Sequence, residues 1–344
     1  MKTNMTVKQQ VLAALESETG ADLSGQALAD QIHVTRAAVW KAIRALQEEG
    51  YQISAQTNRG YRLVGKPDHI NMERLRPFLH QSSGFYQLVT ARTLDSTNDA
   101  AKQLAAQGAP EGTIVFAEQQ TAGKGRRGRG WESPAGINIY YTLLLKPDFQ
   151  ADCAPMLTLV MALAVAKGIR QTLGRGSEEG AAKVGIKWPN DIILDRRKVC
   201  GILTKLTSDA ESGTINGAVI GIGVNVTQQP QDFPEELRDK AISVREAGAA
   251  VPRAAIAAGI ITRLDDLFLR QHILSQPAEN LIGELTRRSC TIGRRVEVIS
   301  PTGQYEALAV AIAPDAGLIV ELPDGSRRTV SSGEVSVRGL LGYT

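Results

Sequence analysis

Apolar positions in the first sixty-five residues recur three times at helical spacing and then alternate. Val11, Leu12 and Leu15 mark a helix over Thr6–Ser17. Leu28, Ala29 and Ile32 mark a second over Gly25–Ile32, with Ser24 placed to cap it. After a tight turn at His33-Val34, Thr35 caps a third helix that ends at Gly50. There Val39, Ile43 and Leu46 fall at i, i+4, i+7 and must face a core. Arg36, Ala37, Trp40, Lys41 and Arg44 occupy the opposite face. Two short alternating runs follow, Tyr51–Ala55 and Tyr61–Val64, joined by the turn Thr57-Asn58-Arg59-Gly60.

Three helices followed by a basic hairpin form the winged helix-turn-helix pattern. In a DNA-binding use, the third helix enters the major groove through Thr35, Arg36, Ala37, Trp40, Lys41 and Arg44. The hairpin, with Arg59 and Arg62, lies along phosphates. A small helical domain for protein contacts has the same pattern. Gly65-Lys66-Pro67-Asp68 ends the module at residue 65, Pro67 opposing continuation.

From His69 to about Arg288 helices alternate with apolar runs suited to a buried sheet. Strand Tyr86–Leu94 leads through Asp95-Ser96-Thr97-Asn98 into a helix over Asp99–Gln107. Strands Thr113–Glu118 and Ile137–Leu145 follow, then an apolar helix near Pro155–Ala166, too short to span a bilayer. Ile192–Leu194 and Val199–Leu206 make a hairpin about Asp195-Arg196-Arg197-Lys198, and Ala218–Val226 is a last buried strand, whose Gly221 and Gly223 permit close backbone approach. From residue 289, strands Arg295–Ile299, Glu306–Ile312, Leu318–Leu322 and Thr329–Ser331 turn at Pro301-Thr302-Gly303 and Pro323-Asp324-Gly325, the pattern of a small SH3-like barrel. The whole is an α+β chain of three segments: 1–65, 69–288 and 289–344.

Composition narrows the chemistry. The 344 residues carry a formal net charge of +3, so anion binding must come from local clusters. Cys153, Cys200 and Cys290 are far apart with no C-x-x-C, which argues against a disulfide framework or metal site and fits a reducing compartment. The amino terminus lacks the apolar run of a signal peptide. A cytoplasmic protein without membrane attachment is expected.

The densest cluster is Gly123-Lys124-Gly125-Arg126-Arg127-Gly128-Arg129-Gly130-Trp131, in which four cations intersperse with four glycines. Glycine lets backbone N–H groups approach a ligand, and clustered cations repel until an anion joins them. Gly123, Gly125 and Gly128 match G-x-G-x-x-G, but Glu132-Ser133-Pro134 and a strand follow where that motif opens a helix. A P-loop fails because Arg129-Gly130 stands where Lys-Ser/Thr is required. The flanking strands make this a loop held in a core, and not a disordered RNA-binding tail.

Two further groups carry chemistry. Ser96, Thr97 and Asn98 either cap the helix they precede or hydrogen-bond a small polar ligand at its start. In Lys187-Trp188-Pro189-Asn190-Asp191 a lysine, an amide and a carboxylate meet at a strand end, where α/β domains bind ligands. Lys187 suits phosphate and Asp191 suits Mg²⁺; a plain surface turn is the other possibility. Lys198 is either a turn lysine or a ligand group, with Gly201 allowing its strand to pass close to a ligand.

In this order and spacing, the motifs closely resemble the bifunctional biotin–protein ligases that also repress the biotin operon. The resemblance rests on the winged helix, Ser96-Thr97-Asn98, Gln120 with Gly123–Trp131, Lys187–Asp191, Lys198–Ile202, Gly221–Asn225 and the terminal β segment. It implies a central mixed-sheet α/β ligase domain like that of class II synthetases. It implies that biotin's carboxylate attacks the α-phosphate of ATP, with Mg²⁺, and that a lysine of a biotin carboxyl-carrier protein attacks the resulting adenylate. It also implies a homodimer that binds operator DNA.

By the same resemblance Ser96, Thr97, Asn98 and Gln120 contact biotin. Lys124, Gly125, Arg126 and Arg129 wrap the carboxylate–phosphate junction, and Trp131 packs over the ligand. Lys187, Asn190 and Asp191 serve nucleotide and Mg²⁺, Lys198 neutralises the carboxylate, and Asn225 assists with nucleotide. The expected catalytic groups are Arg126, Lys187, Asp191 and Lys198. Lys124 replaces an arginine common among relatives. Phe233 substitutes for a missing adenine-stacking tryptophan. The dimer is expected along Ala218–Val226, taken as a sheet edge. A lipoate ligase and a biotin sensor without transferase activity are the competing functions.

Overall fold

The computed structural model describes residues 5–18, 21–48, 51–56, 59–65, 68–79, 87–146, 154–174, 184–208, 215–270, 278–300, 303–331 and 336–339. Gly50, Thr57-Asn58, Lys66-Pro67, Tyr86, Cys153 and Pro301-Thr302, named above, lie outside them. The chain divides into two compact units, Met1–Asp68 and His69–Thr344.

In the first unit, α1 (Val7–Ser17) opens on a capping box between Thr6 and Gln9, and Ser24 caps α2 (Gly25–Gln31) by accepting the N–H of Ala27. Thr35 caps α3 (Arg36–Glu48) by accepting the Ala38 N–H at 3.2 Å. Val11, Leu15, Leu28, Val39, Ile43 and Leu46 form its core. β1 (Gln52–Gln56) and β2 (Gly60–Gly65) pair antiparallel, and Leu23 bridges Tyr61 beside them. The helical periodicity thus separates α3 into a buried edge and an exposed face.

The second unit is built on a seven-stranded mixed sheet. A short α4 (Met72–Leu75) precedes β3 (Leu88–Leu94), α5 (Thr97–Ala106), β4 (Ile114–Gln120), β5 (Asn138–Leu145) and α6 (Ala154–Thr172). Then come β6 (Gly185–Lys187), β7 (Asp191–Leu194), β8 (Arg197–Ser208), β9 (Ile215–Asn225), α7 (Arg253–Asp265) and α8 (Ala278–Arg288). Strand order is β3-β4-β5-β9-β8-β7-β6, with only β3–β4 parallel. One face packs Val115, Leu144 and Val219 against Ala101 of α5. The alternate residues, Ile114, Phe116, Leu143 and Ile220, share the larger core with α6 and α7. Both faces are covered, which is why these strands read as unbroken apolar runs.

β9 overturns the expected dimer edge. Ala218–Val226 is not at an edge: β9 bonds to β5 on one side and β8 on the other. A run almost wholly apolar marks a strand buried on both faces, and this one also has a partner along each margin. The outer strands are β3 and β6, and β6 is bordered by Ser289.

β10 (Arg295–Ser300), β11 (Gly303–Ile312), β12 (Leu318–Glu321), β13 (Arg327–Val330) and β14 (Ser336–Gly339) form an antiparallel sheet in the order β13-β12-β11-β10-β14. Val296, Val298, Ala309 and Leu318 join the same core cluster as α6 and α7. The division near residue 289 is therefore one between sheets that share a core.

Candidate active site

The site lies on the α5 face of the large sheet, where β8 and β9 run past the helix. Two glycines paired across these strands, Gly201 and Gly223, strip part of that face of side chains. A Cβ on Gly223 would meet nothing within 4 Å, whereas one on Gly201 would stand 3.1 Å from Lys198 Nζ. Gly201 thus makes room for the lysine of its own strand. Gly221 makes room for Asn98, whose Oδ1 would lie 2.3 Å from an added Cβ.

Above this floor, residues 123–131 fold back as a small hairpin. Gly125 N–H donates to Arg129 O at 2.7 Å, Trp131 N–H donates to Gly123 O at 2.9 Å, and Lys124 bridges Gly130. Arg127 takes a left-handed conformation, φ 57°, which reverses the chain between Arg126 and Gly128. The hairpin bounds a cavity of about 640 Å³, completed by Thr158, Pro189, Asn190 and Ile202–Lys205.

The charged groups converge at one end. Arg126 Nη1 donates to Asn190 Oδ1 at 3.0 Å, and Asn190 in turn donates to Ile202 O at 2.9 Å. Lys198 Nζ pairs with Asp191 at 2.6 Å and lies 5.2 Å from the Trp131 ring centroid. Burial pushes the Arg126 guanidinium below its ordinary pKa; Asp191 supports its charge, while Arg127 and Arg129 oppose it. Clustered cations with so few carboxylates form a site for an anion. Lys187 is buried on β6, directly across from Asp191 on β7.

At the other end, the first turn of α5 meets β4 and β5. Thr97 N–H and Oγ1–H both donate to Gln120 Oε1, at 2.9 and 3.1 Å. Gln120 Nε2 donates to Ser133 Oγ at 3.0 Å. Thr142 Oγ1 donates to Asn98 Oδ1 at 2.6 Å, and Asn98 Nδ2 donates to Leu203 O at 3.3 Å. The helix starts two residues earlier than expected. Ser96 holds the cap position with no side-chain cap bond, and Gln120 serves an N-terminal N–H instead. A buried, mutually bonded wall of this kind is rigid. Lys124 leaves this end of the loop to pair with Asp99 of α5.

Two expected residues are placed differently. Asn225 is buried and donates Nδ2 to Lys198 O and Ile242 O, so it secures the start of β8. Phe233 is 3% exposed, leaving no open ring face for a base to stack on. Thr142, Ser133 and Asp99 were not singled out in the sequence, since each joins the site through partners 13 to 44 residues away. In the first unit, Thr35, Arg36, Ala37, Trp40, Lys41, Arg44 and Arg59 are all exposed. Arg62 instead pairs with Asp22 at 3.3 Å.

A mixed sheet bearing a cationic glycine hairpin, joined to a helix-turn-helix unit and a terminal β sheet, defines a protein ligase of the biotin/lipoate kind with a DNA-binding domain. Residues 89–225 match the biotin/lipoate A/B protein ligase family, 7–62 an HTH domain and 291–338 the biotin protein ligase C-terminal domain. The chain is 35% identical over 323 residues to the bifunctional ligase/repressor BirA of Bacillus subtilis, covering 93% of this chain and 96% of that protein. It is 30% identical to the Escherichia coli BirA over 98% and 99% of the two chains. The biotin protein ligase of Aquifex aeolicus in complex with biotin and ATP superposes with a TM-score of 0.62 at 26% identity, over 74% of this chain and all of that one. The chain belongs to the bifunctional ligase/repressor BirA family. Among its described residues no helix is long and apolar enough to cross a membrane.

Proposed function

We propose that the cavity joins biotin to ATP and then delivers it to protein. Biotin's carboxylate oxygen attacks the α-phosphorus, pyrophosphate leaves, and biotinyl-5′-adenylate remains. The amine of a carrier-protein lysine then attacks the acyl carbon, an amide forms, and AMP leaves. What carries this reading is a cation cluster, with Arg126 and Asn190 in the cavity wall and the Lys198–Asp191 pair next along the chain, beside a bonded polar wall that reaches the cavity lining through Asn98 and Leu203. Two negatively charged reactants must meet there, and fixed cations offset the repulsion as charge develops on oxygen.

In this reading Ser96, Thr97, Asn98 and Gln120 orient the ureido end. Lys124, Gly125, Arg126 and Arg129 close over the carboxylate and phosphate, and Trp131 shields the junction from water. Lys187 and Asn190 face the nucleotide, and Asn225 acts by holding Lys198 in place. A Mg²⁺ ion fits Asp191 as its one protein carboxylate in the cluster, since such ions keep water and phosphate oxygens as remaining ligands. It would supply charge neutralisation for the phosphates.

Replacing Lys198 with alanine should lower biotin-dependent pyrophosphate release by at least about a hundredfold, because its charge acts in a dehydrated site. Near-normal release would return Lys198 to the role of a partner for Asp191 alone.

The amino-terminal unit gives the second activity. A single α3 reaches few base pairs, so operator DNA is bound by a homodimer whose two helices meet two half-sites. Adenylate that no carrier consumes accumulates and promotes this form. Sedimentation and operator binding, each measured with and without biotin plus ATP, should strengthen together; equal values in both states would contradict the coupling.

A further inference from the structure

Trp188 joins the nucleotide-facing turn to the carboxy-terminal sheet. Its backbone N–H donates to Thr291 Oγ1 at 3.0 Å, and its indole Nε1–H donates to Ala316 O at 3.0 Å. Beside it, Cys290 N–H donates to Ile186 O at 2.9 Å, and Ile186 bridges Ser289. Trp188, Thr291 and Ala316 are all buried. The acceptor sits in a tight turn between β11 and β12. Ala313 N–H donates to Gly317 O at 2.8 Å, and Ala316 N–H donates to Ala313 O at 2.9 Å. Ala316 itself holds a φ of 68°, a conformation that non-glycine residues adopt only where surrounding structure enforces it. The carbonyl aimed at the indole is therefore fixed by its own turn.

The residues just past Trp188 reach the reacting groups. Asn190 meets Arg126, and Asp191 meets Lys198. The polar wall at the other end hangs on α5, β4 and β5 through Gln120–Ser133 and Thr142–Asn98, with none of those bonds passing through residues 188–191. We infer that Trp188 is a positioning residue: it fixes the turn against the carboxy-terminal sheet so that Asn190 and Asp191 hold Arg126 and Lys198 in place for a nucleoside triphosphate. This rests on the reading in which Asn190 and Asp191 serve the nucleotide while Arg126 and Lys198 serve the junction of carboxylate and phosphate. The carboxy-terminal sheet thereby acts on nucleotide binding, although none of its described residues lines the cavity.

Three full-length variants test this. Trp188→Phe keeps an aromatic ring, though a smaller one, and loses the indole donor, leaving a buried carbonyl without its partner. Thr291→Val loses the hydroxyl acceptor, and Thr291→Ser keeps it. Biotin-dependent pyrophosphate release, with ATP varied, should show KM for ATP raised about fivefold to tenfold in Trp188→Phe and Thr291→Val, the size of one lost buried hydrogen bond. Thr291→Ser should stay near wild type, and in the other two biotin binding without nucleotide should weaken less than ATP binding, because the ureido end rests on the separate polar wall. Should Trp188→Phe fail to fold, the two Thr291 variants decide the matter. Equal weakening toward biotin and ATP, an unchanged KM for ATP, or equal loss in Thr291→Ser and Thr291→Val overturns the inference. A wild-type protein that releases no pyrophosphate contradicts the functional reading, and this inference with it.

Discussion

Arg126 shows how much one side chain in this site depends on its surroundings. Its guanidinium is reached by Asn190 at 3.0 Å, and burial with Arg127 and Arg129 works against its charge while Asp191 supports it. An anion arriving in the cavity relieves that imbalance, which gives the hairpin a reason to close over phosphate. Arg126→Gly should therefore form adenylate but hold it poorly. Free biotinyl-adenylate and biotin on bystander lysines should appear in mass spectra; retention equal to wild type would show that this arginine is not the clamp. The residue types were legible in the sequence because cations, glycines and a closing tryptophan sit side by side. Their partners were not. Asp99, Ser133 and Thr142 come from separate elements, and no local pattern announces a bond formed across a fold. The same limit applied to Asn225, whose position at a strand end suggested a ligand contact while its amide is given to Lys198 O and Ile242 O.

At the scale of elements, β9 separates two kinds of glycine. Gly221 leaves room for Asn98, and Gly223 faces open space above the floor. Gly221→Ala forces the added methyl against Asn98 and should cost about 1–3 kcal/mol of stability, as overpacking of a filled site does. Gly223→Ala should leave thermal stability near wild type and weaken ligand binding, because its methyl projects into the open space above the floor of the site. Thermal unfolding beside biotin binding separates the two, and an equal loss of stability in both variants would refute the distinction. The apolar run of β9 was readable as a buried strand. Its neighbours were not, since burial on both faces says that a strand is central without saying between which others. That gap is what made a central strand look like an edge open to a partner. The start of α5 was misplaced for a similar reason: Ser96 has the chemistry of a cap, yet Gln120 from β4 takes that task.

At the scale of the whole molecule, the two compact units correspond to the two activities. The exposed face of α3 is separate in sequence from every residue that lines the cavity. The carboxy-terminal sheet differs, for its core is continuous with that under the ligase sheet and its turn at Ala316 bonds to Trp188. Function was legible further than architecture, because motif order survives without knowledge of strand order. The central claim is that the cavity activates biotin and delivers it to a carrier lysine. Its most direct test is the intact mass of a carboxyl-carrier domain after incubation with this protein, ATP and equal biotin and lipoate. The account predicts a gain of one biotinyl group, dependent on ATP and lost when the acceptor lysine is replaced. An unmodified carrier, or one bearing a lipoyl group, would contradict it.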